Sequence, residues 1–125
     1  MVTIGQPPYL ECSSAGDRRF SAFYATVCGS SIEELYQAFK VFPDGSTGLH
    51  WRQAKGRRAV NQAEAAAFYR ELWRAYLALN PHLLLVLLAA SGLSDRFGKP
   101  GHVCQAVTLW ELRNETACNG RIIRL

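Results

Sequence analysis

Apolar residues recur at helical spacing through the middle of the chain. Between residues 62 and 79 they return every three or four positions, at Phe68, Leu72, Trp73, Tyr76 and Leu79. This spacing predicts a long helix with one core-facing side. The stretch 81–91 is apolar almost all round after its second residue, which predicts a central, buried helix.

Capping and breaking residues set the bounds of the other predicted elements. Ser31-Ile-Glu-Glu34 and Asn61-Gln-Ala-Glu64 are capping boxes, each at the start of a helical pattern. Pro43 ends the first of these helices near residue 42. The remaining predicted elements are strands at 9–12 and 19–27, helices at 49–55 and 102–114, loops at 13–17 and 93–101, and a turn at Asn119-Gly120 before a short terminal strand.

The pattern predicts one helix-dominated α+β domain over residues 1–125, with a few short strands near the N-terminus. Hydrophobic residues make up 49% and charged residues 19%, which is typical of a globular chain. The formal charge of +4 suits an anionic ligand such as a phosphate or a nucleic acid. The longest apolar run, at 83–90, is shorter than the roughly 20 residues of a membrane span. With no secretory signal visible, we expect a cytoplasmic protein that does not bind membranes.

The four cysteines do not form a CxxC pair. In a cytosolic chain such cysteines are expected to be reduced and buried. A single His102-Val-Cys104 pair lacks the four-ligand spacing of a zinc site. We therefore predict neither a metal site nor a cofactor.

The first predicted helix carries an unusual polar row. Glu33, Gln37 and Lys40 are spaced i, i+4 and i+7, so they stack along one edge of the apolar stripe, next to Tyr36. Glu33 also lies in the first turn, where the helix dipole favours a carboxylate. Such a row is either a solvated edge or the wall of a binding pocket.

Two segments resemble the NADAR (YbiA-like) family. Phe20-Ser21-Ala22-Phe23 matches that family's aromatic-Ser-Asn-Phe segment, and the stretch 32–40, "IEELYQAFK", is similar to its Val-Glu-x-x-Tyr-Gln-Ala-x-Lys helix. Asp95 and Phe97-Gly98 stand near the position of its Asp-x-x-Trp-Gly loop. The chain departs from the family at Ala22 and Phe97 and lacks its Asn-x-Leu-Gly signature. The resemblance covers about residues 19–113 and implies a YbiA-like fold.

The resemblance also implies an N-glycosidase that acts on a phosphorylated ribosyl or ADP-ribosyl substrate, including ADP-ribosylated nucleic acid. Breaking an N-glycosidic bond builds positive charge on the sugar, which a carboxylate stabilises directly or by activating water. The implied catalytic residues are Glu33 and Asp95. The implied substrate-binding residues are Arg19, Phe20, Tyr36, Gln37, Lys40, Trp51, Phe97 and Gly98.

Other interpretations of these residues remain open. Asp95 also suits a turn, and Trp51 and Phe97 also suit the core. The same pocket can bind an ADP-ribose-like or nucleotide ligand without turning it over, and the missing signature near residues 101–106 favours that alternative. A third hypothesis is a nucleic-acid-binding protein that uses a basic cluster formed by Arg52, Lys55, Arg57 and Arg58.

Overall fold

Five α-helices and five short β-strands form an α+β domain in the computed structural model, which describes the backbone of residues 1–124 and the side chains of residues 1–118. The helices are α1 (Ile32–Phe39), α2 (Trp51–Ala54), α3 (Gln62–Leu79), α4 (Pro81–Ala89) and α5 (Gln105–Arg124). The strands are β1 (Val2–Gly5), β2 (Tyr9–Glu11), β3 (Thr26–Val27), β4 (Ser30–Ser31) and β5 (Gly92–Asp95). The prediction of one helix-dominated α+β domain is confirmed. Strand β1 was not predicted, and strand β5 lies far from the N-terminus.

Strand β5 is the centre of a three-stranded sheet, so the loop predicted over 93–101 is wrong in its first part. Leu93 pairs with Ile4 of β1 in antiparallel orientation and with Leu10 of β2 in parallel orientation. All four residues of β5 are buried, and helix α5 packs against them. The sequence of β5 contains one large apolar residue, so its strand character comes from its two neighbouring strands rather than from its own pattern.

The strand predicted over 19–27 is also wrong over most of its length. The carboxylate of Asp17 accepts the backbone N–H of Arg19 and starts a 3₁₀ turn, and the carbonyl of Ser21 accepts the N–H groups of both Tyr24 and Ala25. These local hydrogen bonds fold the segment back on itself. Only β3 is extended, and it pairs with β4 in a small hairpin.

Helix α3, rather than α4, is the central buried element. Trp73 is fully buried, and its ring meets those of Tyr69 and Tyr76 edge-on at 6.5 and 5.5 Å. Helix α4 turns by 107° from α3 and buries Leu83 and Leu87 but leaves Leu85 exposed. Among the described residues, no single helix has the length and apolar character to cross a membrane. Helices α3 and α4 have that length and apolar character only when they are taken together, and the chain bends sharply between them.

Helix α5 continues to Arg124, so the predicted turn at Asn119-Gly120 and the terminal strand are wrong. A helix satisfies its backbone groups within the segment, whereas a terminal strand needs a neighbouring strand to bond to. Residue 125 lies outside the described part of the chain.

The cysteines are all unpaired, as predicted, but two of them are not buried. Cys12 and Cys104 lie in the core, whereas Cys28 and Cys118 are exposed. Cys28 has a φ of 52° and Gly29 a φ of 86°, the two left-handed positions of a tight β3–β4 turn. Turn geometry therefore holds Cys28 at the surface.

Gly92→Ala tests the sheet that carries Asp95. A Cβ at this position would lie 2.3 Å from the carbonyl oxygen of Gln6 and 2.8 Å from a ring carbon of Tyr9. Because the closest atom belongs to the backbone, we expect the free energy of unfolding to fall by about 1–3 kcal/mol, the usual cost of overpacking. Urea denaturation measures the change. Gln53→Ala, at an exposed position of α2, is the control; a Gly92→Ala variant as stable as wild type would contradict this packing.

Candidate functional site

Helix α1 presents its polar row to a cleft of about 560 Å³. The capping box fixes the start of the helix: Ser31 Oγ accepts the Glu34 N–H at 3.1 Å, and Glu34 Oε1 accepts the Ser31 N–H at 3.2 Å. Glu34 is therefore held at the surface as a cap. Its neighbour Glu33 is half-buried and lines the cleft together with Gln37 and Lys40.

The cleft lies between α1, the segment 55–58 and the segment that follows β5. Seven of the ten residues predicted from the sequence line it, namely Glu33, Tyr36, Gln37, Lys40, Asp95, Phe97 and Gly98. These residues come from two stretches that are more than fifty positions apart in the chain. A cavity of this size is in the ordinary range for a nucleotide-sized ligand.

Gln37 connects the row and leaves one polar atom free. Its Nε2 donates to Glu33 Oε1 at 2.8 Å, which orients the carboxylate. Its Oε1 is buried and has no hydrogen-bond partner among the described residues. An unpaired buried acceptor costs about 1–3 kcal/mol.

Lys40 is a buried ammonium in the wall of the cleft. It is 5% exposed, its Nζ donates to the Arg57 carbonyl at 2.9 Å, and it lies 5.0 Å from the centre of the Tyr36 ring. Burial lowers the pKa of Lys40, and the nearby charge of Glu33 opposes that shift. No carboxylate lies within ion-pair distance in the described part of the chain. Two of its three N–H groups are thus left for an anion.

Asp95 occupies the end of β5 and shapes the turn that follows. Its Oδ1 accepts the Phe97 N–H at 3.1 Å and its Oδ2 accepts from the Cys104 thiol at 3.5 Å. A Cβ on Gly98 would lie 3.2 Å from the Asp95 Cβ, so the glycine allows this close approach. Phe97 is 63% exposed at the mouth of the cleft and is not a core residue. Asp95 therefore has the turn role that its residue type suggested and also faces the cleft.

The structure does not bring Arg19, Phe20 and Trp51 into the lining of the cleft, and their substrate-binding roles stay predictions. The guanidinium of Arg19 binds both oxygens of Asp17, at 3.0 and 2.7 Å. The Phe20 side chain is fully buried in the core. Trp51 meets the ring of Phe23 edge-on at 5.6 Å, so Phe23 is the one of these two rings that lines the cleft.

Several lining residues were not predicted as site residues. Three members of the basic cluster at 52–58, Lys55, Arg57 and Arg58, line the cleft. Tyr69 of α3 also lines it; burial raises the pKa of this phenol well above its ordinary value, and the charge of Glu33 adds to the shift. In the sequence Tyr69 is indistinguishable from the core residues of the same helix.

The charge of the cleft favours an anion. Five cationic side chains line it, Lys40, Lys55, Arg57, Arg58 and Lys99, against the two carboxylates of Glu33 and Asp95. A second cavity of about 280 Å³ adjoins the cleft and shares Arg58, Gln62 and Gly101–Val103 with it. The described residues contain no cluster of three or more His, Cys, Asp or Glu that would hold a metal ion.

Comparison with known proteins adds no relative: no protein-family model, no curated protein and no solved structure matches this chain. The resemblance to the NADAR family therefore stays a prediction that rests on the residues quoted for it.

Proposed function

We propose that the cleft binds a phosphorylated ribosyl or ADP-ribosyl compound and hydrolyses its N-glycosidic bond. The observation that carries this proposal is Lys40, a buried ammonium that lines a concave site without a carboxylate partner among the described residues. An uncompensated buried charge is costly and marks a site for a charged ligand. Lysine is a common ligand of phosphate, and the two remaining N–H groups of Lys40 are available as donors to phosphate oxygens.

Glu33 supplies the chemistry that a glycosidic bond requires. It lies on the same edge of α1 as Lys40, nearly two turns earlier, so a ligand whose phosphate binds Lys40 extends its sugar toward Glu33. The carboxylate stabilises the positive charge that develops on the ribose or activates the attacking water. Gln37, between them, orients the carboxylate through the hydrogen bond from its Nε2 to Glu33 Oε1.

The opposite wall holds the rest of the substrate. The exposed ring of Phe97 offers a flat surface for the departing base. Asp95 binds a ribose hydroxyl or acts as the second acid–base group. The adjoining cavity, with Arg58 at the junction, provides room for the second phosphate of an ADP-ribosyl group.

One observation favours a second candidate, a binding protein that does not turn the ligand over. Both oxygens of Asp95 already accept protein hydrogen bonds, from Phe97 and Cys104. A carboxylate engaged in this way is less available as the second acid–base group. The same cleft would then sequester an ADP-ribose-like or nucleotide ligand intact.

Product analysis distinguishes the two candidates. Purified protein is incubated with phosphorylated N-ribosyl compounds and, separately, with ADP-ribosylated guanine. Each mixture is then resolved by chromatography with mass detection. The hydrolase releases free base and sugar phosphate in equal amounts from the first substrates, and guanine and ADP-ribose in equal amounts from the second. Recovery of bound but unaltered ligand after hours would leave the binding protein as the function, and no binding at all would reject both.

A further inference from the structure

Two exposed aromatic rings line the cleft, and two further rings belong to residues that lie next to Phe23 in space or in the chain. Phe23, Tyr24 and Phe97 are 46%, 50% and 63% exposed, and Trp51 is half-buried against Phe23. Phe23 and Phe97 line the cleft itself, and Tyr24 follows Phe23 directly in the chain. Large apolar rings that are exposed to water are unfavourable in solvation free energy. A group of them beside one cleft therefore indicates a surface that binds a partner.

Each of these rings has a cation beside it. Lys55 Nζ lies 5.9 Å from the ring centres of both Phe23 and Trp51, and Arg52 lies 5.3 Å from Trp51. Arg18 lies 4.7 Å from Tyr24, and Arg96 lies 6.0 Å from Phe97. We call these eight residues the aromatic-basic rim: Arg18, Phe23, Tyr24, Trp51, Arg52, Lys55, Arg96 and Phe97.

The rim cations differ from the arginines elsewhere on the surface. Arg70 pairs with Glu111, and Arg74 pairs with Glu71 and Glu115, across α3 and α5. None of the rim cations has a carboxylate within ion-pair distance in the described part of the chain. The rim therefore carries uncompensated positive charge, whereas the α3–α5 surface is locally neutralised.

We infer that the aromatic-basic rim binds an unpaired polynucleotide strand. Aromatic faces stack on bases of any sequence, and interspersed cations neutralise the phosphates that join them. A duplex keeps its bases stacked on one another, so it would leave the rings unused. An acidic protein would satisfy the cations but has no regular array of flat groups for the rings. The inference goes beyond the reaction in the cleft and holds whether or not the cleft hydrolyses its ligand.

Fluorescence anisotropy with a labelled single strand of about 12 nucleotides, within the site sizes of such surfaces, tests the inference. We expect saturable binding to oligo-dT and oligo-U and weaker binding to a duplex of equal length. Tyr24→Ala should weaken strand binding about 5- to 100-fold, the effect of losing one stacking platform. Tyr24→Trp, which keeps a flat face, should retain it. Arg52→Ala should lower the slope of log affinity against log salt by about one.

Arg74→Ala is the matched control, because it removes one arginine from the neutralised α3–α5 surface. We expect its strand affinity to equal that of wild type. Thermal unfolding of each variant confirms that the half-exposed substitutions leave the core intact. The inference is overturned if the wild type does not bind the strand, if duplex binds equally well, or if Arg74→Ala weakens binding as much as Arg52→Ala. Glu33→Gln separates the two proposals. If this variant binds the strand as tightly as wild type but no longer hydrolyses the N-ribosyl compound, both proposals are supported.

Discussion

Glu33→Gln is expected to lower kcat/KM for hydrolysis of the N-ribosyl bond by about 100-fold or more, the scale of removing a positioned catalytic group. Glutamine keeps the shape of the side chain and can still receive the hydrogen bond from Gln37 through its oxygen. It loses the negative charge, which is what an oxocarbenium-like transition state requires. The loss should appear mainly in kcat, because the charge of the sugar develops only in the transition state.

The neighbouring substitution Glu34→Gln is the matched control. Glu34 is exposed and closes the capping box, a role that glutamine also fills. We expect this variant to keep wild-type activity and to unfold at nearly the wild-type denaturant concentration. Initial rates over a range of substrate concentrations measure both variants. If Glu33→Gln hydrolyses as fast as wild type, the carboxylate role must belong to Asp95.

Lys40→Met is expected to weaken binding of the phosphorylated ligand by about 10- to 100-fold, since a hydrogen bond to a charged group contributes about 1.5–3 kcal/mol. The effect should fall on KM, because a phosphate remote from the breaking bond is held similarly in the ground and transition states. Calorimetric titration measures the affinity directly. A matching ligand without the phosphate is the control and should bind wild type and variant equally.

The pKa of Lys40 adds a second measurement on the same residue. Burial lowers this pKa, so the ammonium loses its proton at a lower pH than an exposed lysine does. As the pH rises, the phosphate affinity of the wild type should therefore begin to decline at a pH below the ordinary pKa of lysine. Glu33 opposes the shift, so in Glu33→Gln the decline should begin at a still lower pH. A pH profile that is the same in Lys40→Met and wild type would exclude Lys40 from the phosphate site.

The polar row on α1 was predictable because each part of it is local. A capping box fixes the first residue of the helix, and the wheel then places Glu33, Gln37 and Lys40 on one edge. Whether that edge faced solvent or a cleft was not predictable. The answer depends on the segments 55–58 and 95–105, which reach the row only in the folded chain.

Two of the wrong predictions concern residues whose surroundings depend on contacts between distant parts of the chain. Gly92–Asp95 has turn-forming residues, and its burial comes from two partner strands that no local pattern reveals. The resemblance implies a ligand-binding role for Phe20, but the turn after Asp17 directs its side chain into the core. Tyr69 is a core residue by its spacing and a site residue only because the cleft reaches it. Long-range contacts decided the cases of Gly92–Asp95 and Tyr69, whereas a local turn decided the case of Phe20.

A crystal structure of Glu33→Gln with an intact N-ribosyl phosphate compound tests the central claim most directly, because the slow variant preserves the bond to be broken. The account predicts that the ligand lies in the cleft with its phosphate on Lys40 Nζ. Its anomeric carbon should lie about 3–3.5 Å from the side chain at position 33, a near-attack distance. A ligand bound outside the cleft, or one whose anomeric carbon faces away from position 33, would contradict it.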